Sequence, residues 1–414
     1  MMSARPRRLG LRRFPRLAVL SALIPLSCLL AQCGSAPNGG ATAQHSGASF
    51  NDRFQAAEEH SFDQRFQSAE VFSPRQPVEP SRKRVASFEP APPKAERAQP
   101  KVAALSPAMS YQRPQTAQEL TTLVSLQSSA FPYLGKNPRT DEPFLNISNG
   151  ERRGHRANGR VYWQDETYSD NRVLVHIPKQ FDPQKPGVIV VFFHGNGATL
   201  ERDVRDRQLV PQQITDSGAN AVLLAPQLAV DAADSSAGKF WQPGGLKRFL
   251  AESAEHLARL TGDPNAAKAF ANMPVVIVAY SGGFVPAAYS LAVGGLDGRI
   301  KGVFLLDALY GELDKFADWI ASNRSAFFVS SYTRYTKRRD DELMRMLRDK
   351  GIRVAEDMDE PLRPSSVVFV QTPNGVTHRD YVTHAWTENP VKDVLAKMAA
   401  MPTPTRVASN AVSR

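Results

Sequence analysis

Ser281 stands in VVIVAYSGGF (275–284), at the tip of an apolar run. Two glycines follow it, then a helical pattern, FVPAAYSLA. A serine there is either an ordinary turn residue or a nucleophile held out at the top of a sheet. A serine hydroxyl is a weak nucleophile; it needs a base to take its proton and a third group to orient that base. Asp307 ends the run KGVFLLD (301–307), and His378 lies in PNGVTHRDY, beyond SVVFVQT (366–372). A hydroxyl, a carboxylate and an imidazole are the set that performs acyl transfer.

These groups can meet only if the segments that carry them share one sheet. GVIVVFF (187–193) is a nearly continuous apolar run, as a buried central strand should be. NAVLLAP, VVIVAY, KGVFLLD, AFFVSSY and SVVFVQT read as further strands. Between them lie helical segments: ERDVRDRQLVPQQITDSG, LKRFLAESAEHLARLTG with Gly262 as its stop, GGFVPAAYSLAVG, GELDKFADWIASN and KRRDDELMRMLRDKG. NPVKDVLAKMA is the last helix, with Pro390 in its first turn. Ahead of the alternation, NGRVYWQDE and DNRVLVHIP read as a hairpin turning near Tyr168 to Asp170. TAQELTTLVSLQ (116–127) reads as a helix close to the start of the domain. The pattern predicts an α/β fold over residues 116–400: a mostly parallel sheet with helices on both faces. Reactive groups on such sheets gather at the carboxyl ends of the strands, where all three candidates fall.

The domain resembles the α/β-hydrolases. That fold sets a serine on a sharp strand-to-helix turn within G-x-S-x-G and supplies acid and histidine in the order Ser, Asp/Glu, His. The elbow here is Ala279-Tyr280-Ser281-Gly282-Gly283, with Ala279 in place of the first glycine. Ser281, Asp307 and His378 follow the family order. The resemblance implies a catalytic triad in which His378 takes the serine proton and Asp307 orients the imidazole. FFHGNGA, at the end of the central strand, is similar to the family's oxyanion loop. The implied donors are the backbone N–H of Gly282 and one from Gly195 or Asn196, with His194 bracing the loop.

Alternatives stay open within this reading. Asp307 could instead cap the helical run DALYGELDKF, with Glu356, Asp357 and Asp359 in reserve as the acid. In many of these hydrolases the acid comes one strand later, but that strand ends in SSYTRY, without a carboxylate. His384, in YVTHAW, is the alternative base. His155, His176 and His256 fit the order or the setting less well. The long segment 225–245 starts at a strand end, so Asp231, Asp234, Lys239 and Trp241 either contact substrate or rim a surface loop. Arg202, Arg205 and Arg207 read as a solvated helix face, against the alternative of an anionic substrate.

The ends carry a different message. Residues 1–33 join six arginines, from Arg5 to Arg16, to the apolar run LAVLSALIPLSCLLA (17–31), the plan of a secretory signal. Leu30-Ala31-Gln32-Cys33 resembles a bacterial lipoprotein box, which makes Cys33 the expected lipidation site, ahead of Cys28. A cleaved soluble protein and an uncleaved anchor are the alternatives, and each implies a cell-envelope, periplasm-facing location. The chain has two cysteines, at 28 and 33, so the mature part lacks thiol and disulfide chemistry. Of the net charge of +10, six belong to this leader, which leaves no basis for nucleic-acid binding. Residues 34–115 read as a disordered Pro/Ala/Gln-rich tether and 401–414 as a disordered tail. Within the tether, DRFQAAEEHSF (52–62) is echoed by DQRFQSAEVF (63–72), either a local duplication or a segment that docks on an envelope partner. No metal-ligand spacing and no dinucleotide fingerprint occurs, so no cofactor is expected.

The expectation is an envelope-located serine hydrolase that cleaves an ester or thioester of a small or envelope-derived acyl substrate. A cell-wall peptidase or amidase and a noncatalytic binding module of the same fold are the alternatives.

Overall fold

The computed structural model describes residues 119–399, apart from residue 297. The signal segment with Cys33, the tether with its repeat and the 401–414 tail lie outside the described residues.

Eight strands form the main sheet: β1 (Leu120–Ser125), β5 (Arg172–Ile177), β6 (Val188–Phe193), β7 (Ala221–Pro226), β8 (Val275–Tyr280), β9 (Ile300–Leu306), β10 (Phe327–Tyr332) and β11 (Val367–Gln371). Their spatial order is β1-β5-β7-β6-β8-β9-β10-β11. From β7 to β11 every pairing is parallel, while β5 runs antiparallel to both β1 and β7. The class is α/β, and the sheet is the mostly parallel one of the α/β-hydrolase fold.

The apolar runs are continuous because both faces of the sheet are covered. Along β6, Ile189, Val191 and Phe193 enter one core layer, and Val188, Val190 and Phe192 enter the other. The first layer takes the helices Gly245–Leu260, Phe284–Val293, Leu313–Ser322 and Lys337–Asp349. The second takes Leu200–Arg207, Val210–Asp216 and Pro390–Ala399. The chain therefore leaves β6 toward one face and the neighbouring β8 toward the other. This divergence opens a crevice at their carboxyl ends, the position where ligands bind on open α/β sheets.

Three expectations are corrected. Where the sequence pattern predicts a helix over 116–127, the described part holds a strand: Leu120–Ser125 is an edge strand paired with β5. Its run of β-branched Thr121, Thr122 and Val124 suits a strand, and β5 is apolar enough to need a neighbour on each side. The expected hairpin does not form. A helical turn, Gln164–Thr167, separates its two halves. β4 (Arg160–Trp163) joins β2 (Ile147–Asn149) and β3 (Arg152–Ala157) in a separate small sheet. The helix after β6 is broken in two: a wide π-helical stretch, Leu200–Arg207, ends where Leu209 turns left-handed (φ 52°).

His176 lies on β5 and is fully buried. Its ring nitrogens meet Thr121 Oγ1 on β1 at 2.7 Å and Thr215 Oγ1 on the second layer at 2.8 Å. Burial pulls its pKa down from 6.5 to about 4. The unfolded chain therefore binds the extra proton first as pH falls, and stability is lost between about pH 6.5 and pH 4. The thermal midpoint should drop across that window, and His176→Gln should flatten part of the drop. An equal slope in the variant would assign the acid sensitivity elsewhere.

Candidate active site

β8 ends at Tyr280, and the chain turns through Ser281–Gly283 into the helix Phe284–Val293. Ser281 sits in the left-handed region at φ 51°, a conformation that costs a non-glycine residue about 1–3 kcal/mol. The turn is tight: a Cβ on Gly282 would lie 2.1 Å from Asn196 Oδ1, and one on Gly283 would lie 2.3 Å from the Phe193 carbonyl oxygen. Side chains at either position would push the elbow off the central strands. Register does the rest of the alignment. Tyr280 pairs with Leu306, so Ser281 and Asp307 emerge at one level of the sheet. Asp307 is also left-handed, at φ 44°.

His378 bridges the two. Its Nε2 is 2.9 Å from Ser281 Oγ, and its Nδ1 is 2.6 Å from Asp307 Oδ2. A carboxylate can only accept, so Nδ1 carries the proton and Nε2 is left to accept from the serine hydroxyl. Asp307 is fully buried and also accepts from the Thr333 N–H (2.9 Å), Thr333 Oγ1 (2.9 Å) and Thr336 Oγ1 (2.9 Å). Burial alone would raise its pKa. The hydrogen bond and charge of His378, with the Thr333 donors, bring it below the ordinary carboxylate value instead.

A second buried carboxyl, Asp340, behaves in the opposite way. Burial drives its pKa well up against the hydrogen bonds of Ser330 and Thr336, and the negative charge of Asp307 adds to the rise. It accepts from Ser330 Oγ at 2.5 Å. Two neighbouring acids are thus shifted in opposite directions, one down against the histidine and one up behind it.

The imidazole is held by aromatic rings. Tyr280 stacks on it with centroids 5.1 Å apart, and its hydroxyl donates to the His378 carbonyl at 2.7 Å. Tyr310 and Tyr335 meet the ring edge-on. Beyond the histidine, Tyr381 ties the loop to β10 through Ser331 Oγ at 2.7 Å.

The HGNG loop approaches from the other side. A Cβ on Gly195 would come within 2.9 Å of Ser281 Cβ, so this backbone lies directly against the serine. His194 is buried, which lowers its pKa and keeps it neutral. Its Nδ1 donates to the Gly195 carbonyl (2.8 Å), and its Nε2 accepts from the Leu228 N–H (2.9 Å). It braces the loop. Asn196 Oδ1 accepts from Ser235 Oγ at 3.1 Å, and the Gly197 N–H donates to the Ala232 carbonyl at 2.8 Å.

The other sequence candidates are dispersed. His384 is exposed, bonded to its neighbour Thr383, and has no part in the Ser281–His378–Asp307 chain. Glu356 pairs with Arg348 on the surface, and Asp357 and Asp359 are exposed. Asp231 pairs with Arg202, while Lys239 reaches the Gln127 carbonyl. Asp234 and Trp241 line a cleft of about 650 Å³ that reaches the elbow at Ser235, Phe284 and Val285.

Sequence reasoning missed the group that links the two loops. Arg202 and Arg207, read as a solvated face, both pair with the nearly buried Asp203. Arg202 donates to the Gly197 carbonyl at 2.7 Å, and Arg207 donates to the Arg379 carbonyl at 2.8 Å. Asp203 is adjacent to Arg202 and four residues before Arg207, so one carboxylate can hold both, a link that reading the arginines alone does not anticipate.

No family model matches this chain, and no curated protein matches it. Among solved structures it is similar to a mutant of the feruloyl esterase module from Clostridium thermocellum, complexed with sinapinate. That match has 14% identity over 65% of this chain and 94% of the other, with a TM-score of 0.37. A ferulic acid esterase matches at 13% identity over 68% of this chain and 99% of its own, with a TM-score of 0.40. An IroE-like serine hydrolase from Shewanella oneidensis matches at 12% identity over 55% and 75%, with a TM-score of 0.36. The chemistry of the site rests on its own geometry.

If Asp203 holds both loops, Asp203→Asn should loosen them together. Amide hydrogen exchange should quicken at 194–198 and at 376–381, with a stability loss of about 1–3 kcal/mol. Faster exchange confined to 200–207 would show that the two loops are held independently.

Proposed function

We propose that this chain is a serine hydrolase that cleaves an ester through an acyl-enzyme intermediate. The observation that carries this reading is the continuous hydrogen-bond chain from Ser281 Oγ through His378 to Asp307. The serine oxygen attacks the substrate carbonyl as His378 Nε2 takes its proton. Asp307, already ionised, stabilises the imidazolium that forms. The developing oxyanion is received by the N–H of Gly282, at the start of the helical turn, and by a backbone N–H of Gly195 or Asn196. Donors fixed in advance cost no reorganisation when the charge appears, and each contributes about 3 kcal/mol. His378 then returns the proton to the leaving alcohol. Water, deprotonated by the same imidazole, releases the acid and restores the serine.

A thioester fits the same steps. The open cleft beside 225–245 is the feature a peptidase or amidase would use, so an amide is the second substrate class. The signal-like N-terminus and Cys33 support a periplasm-facing location, with the membrane reached through an N-terminal lipid or anchor and residues 52–72 as a contact for an envelope partner. Among the described residues no helix is long and apolar enough to cross a membrane.

A fluorophosphonate probe should leave a single adduct on the purified chain, lost in Ser281→Ala. Asp307→Asn should lower kcat by about 10⁴-fold, because the imidazole then adopts the wrong tautomer. Asp340→Asn should stay within a few-fold of the parent, since its carboxyl bonds Ser330 and not His378. His384→Ala should be silent. A folded chain with neither adduct nor ester turnover would turn the reading toward a binding module.

A further inference from the structure

The cleft beside the elbow is walled by more polar side chains than aliphatic ones. It runs from Ser235, Phe284 and Val285 outward, between the loop before β2, the small β2-β3-β4 sheet and the turn at Glu312. Its volume of about 650 Å³ suits a small-molecule site. Ser281 and His378 are not among its walls. It reaches them through Ser235, whose hydroxyl bonds Asn196 and whose Oγ would lie 2.7 Å from a Cβ on Gly282. A substrate reacting at Ser281 can therefore extend into it.

Three features define what it would accept. Two of its three arginines are compensated, Arg139 by Glu312 and Arg339 by Glu342, and its four acids, Glu142, Asp234, Glu312 and Asp314, outnumber the arginines. An anionic ligand finds no surplus positive charge there. Its amides are oriented: Asn137 Oδ1 accepts from the Arg139 N–H at 2.9 Å, and Asn146 Oδ1 accepts from the Arg156 N–H at 3.0 Å. Each amide is thereby turned so that its Nδ2 serves as the donor. Its carboxylate is held in place: Glu312 is left-handed at φ 57°, its side chain is 7% exposed, and Lys315 fixes it at 2.6 Å. A bulky non-glycine residue in that conformation is a cost borne where the side chain must point one way. Trp241 adds an apolar aromatic surface, held in a cluster with Tyr133 and Phe144.

Fixed planar donors and acceptors without surplus positive charge, beside an aromatic ring, match neutral vicinal hydroxyls carried on a C–H-bearing ring. A fatty acyl chain would strand these polar groups without partners, at a cost of about 1–3 kcal/mol for each group left unsatisfied. We propose that this cleft binds the hydroxyl-rich part of the substrate, and that the enzyme acts on O-acylated carbohydrates or similar polyol esters. The proposal rests on the hydrolase reading of Ser281. In the reaction the acyl C–O bond breaks, the acyl group takes OH from water, and the sugar oxygen takes H.

The test compares methyl 6-O-acetyl-glucopyranoside, ethyl acetate, 4-nitrophenyl acetate and a peptide anilide on the full chain. Asn137→Ala, Asn146→Ala and Ser281→Ala are run alongside. The acetyl glycoside should exceed ethyl acetate in kcat/KM by about a hundredfold. That ratio should fall about tenfold in each asparagine variant. Saturation-transfer NMR on Ser281→Ala should show the glycoside bound, and the contact should vanish when Asn137→Ala is added. Ser281-dependent hydrolysis of 4-nitrophenyl acetate without a glycoside preference, or with a preference for the anilide, would overturn the cleft assignment and keep the hydrolase. Binding of the glycoside without turnover of any ester would keep the cleft assignment and overturn the hydrolase.

Discussion

The 2.6 Å hydrogen bond between His378 Nδ1 and Asp307 decides the rest of the site. It places the ring proton on Nδ1, and only then can Nε2 accept from Ser281. For that bond to hold, Asp307 must stay ionised although fully buried. Burial works against it, and an isolated carboxyl there would take up a proton. His378 does most to prevent this, through its hydrogen bond and its charge, and Thr333 adds donors from the turn after β10. Asp340, two turns of chain further on, also accepts hydrogen bonds but meets no histidine, and burial and the charge of Asp307 push it well above the ordinary carboxylate value. The two acids are thus shifted in opposite directions, and the difference is the histidine beside Asp307.

The sheet sets the level at which these groups meet. β8 and β9 are in register at Tyr280 and Leu306, so the serine and the acid need no long side chain to share a histidine. Both residues leave their strands through left-handed backbone, which turns the side chains up from the sheet end instead of along it. The core makes that strain tolerable. β6 and β8 are buried along their whole length, and the turn between β8 and its helix is wedged against the Phe193 carbonyl. An elbow anchored on two covered central strands cannot relax without unpacking them.

Much of this was legible in the sequence, and the reason differs from part to part. The six parallel strands announce themselves because a strand buried on both faces is apolar without interruption. The elbow is legible because close backbone approach requires small residues on a strand-to-helix turn. Asp307 and His378 are legible through their place at strand ends. What escaped is whatever depends on distant partners. β1 resembles a helix until β5, about fifty residues later, supplies its hydrogen bonds. The two halves of the expected hairpin each meet other strands, which local pattern does not encode. Tyr280 looks like a variable position of the elbow, yet its ring and hydroxyl hold the histidine loop ninety-eight residues away.

The arginines after the oxyanion loop make the same point about function. Read as a run of arginines, residues 202 and 207 belong to a solvated face. In the structure they form one cluster with Asp203 at its centre. One arginine grips the carbonyl of Gly197, beside the oxyanion loop, and the other grips the carbonyl of Arg379, beside the base. In the proposed reaction, the groups that would receive the oxyanion and the group that would take the proton must move as one body if attack and proton transfer are to coincide. A nearly buried carboxylate that ties both loops supplies that rigidity, and it does so from the second core layer, across the sheet from the helix that follows the nucleophile.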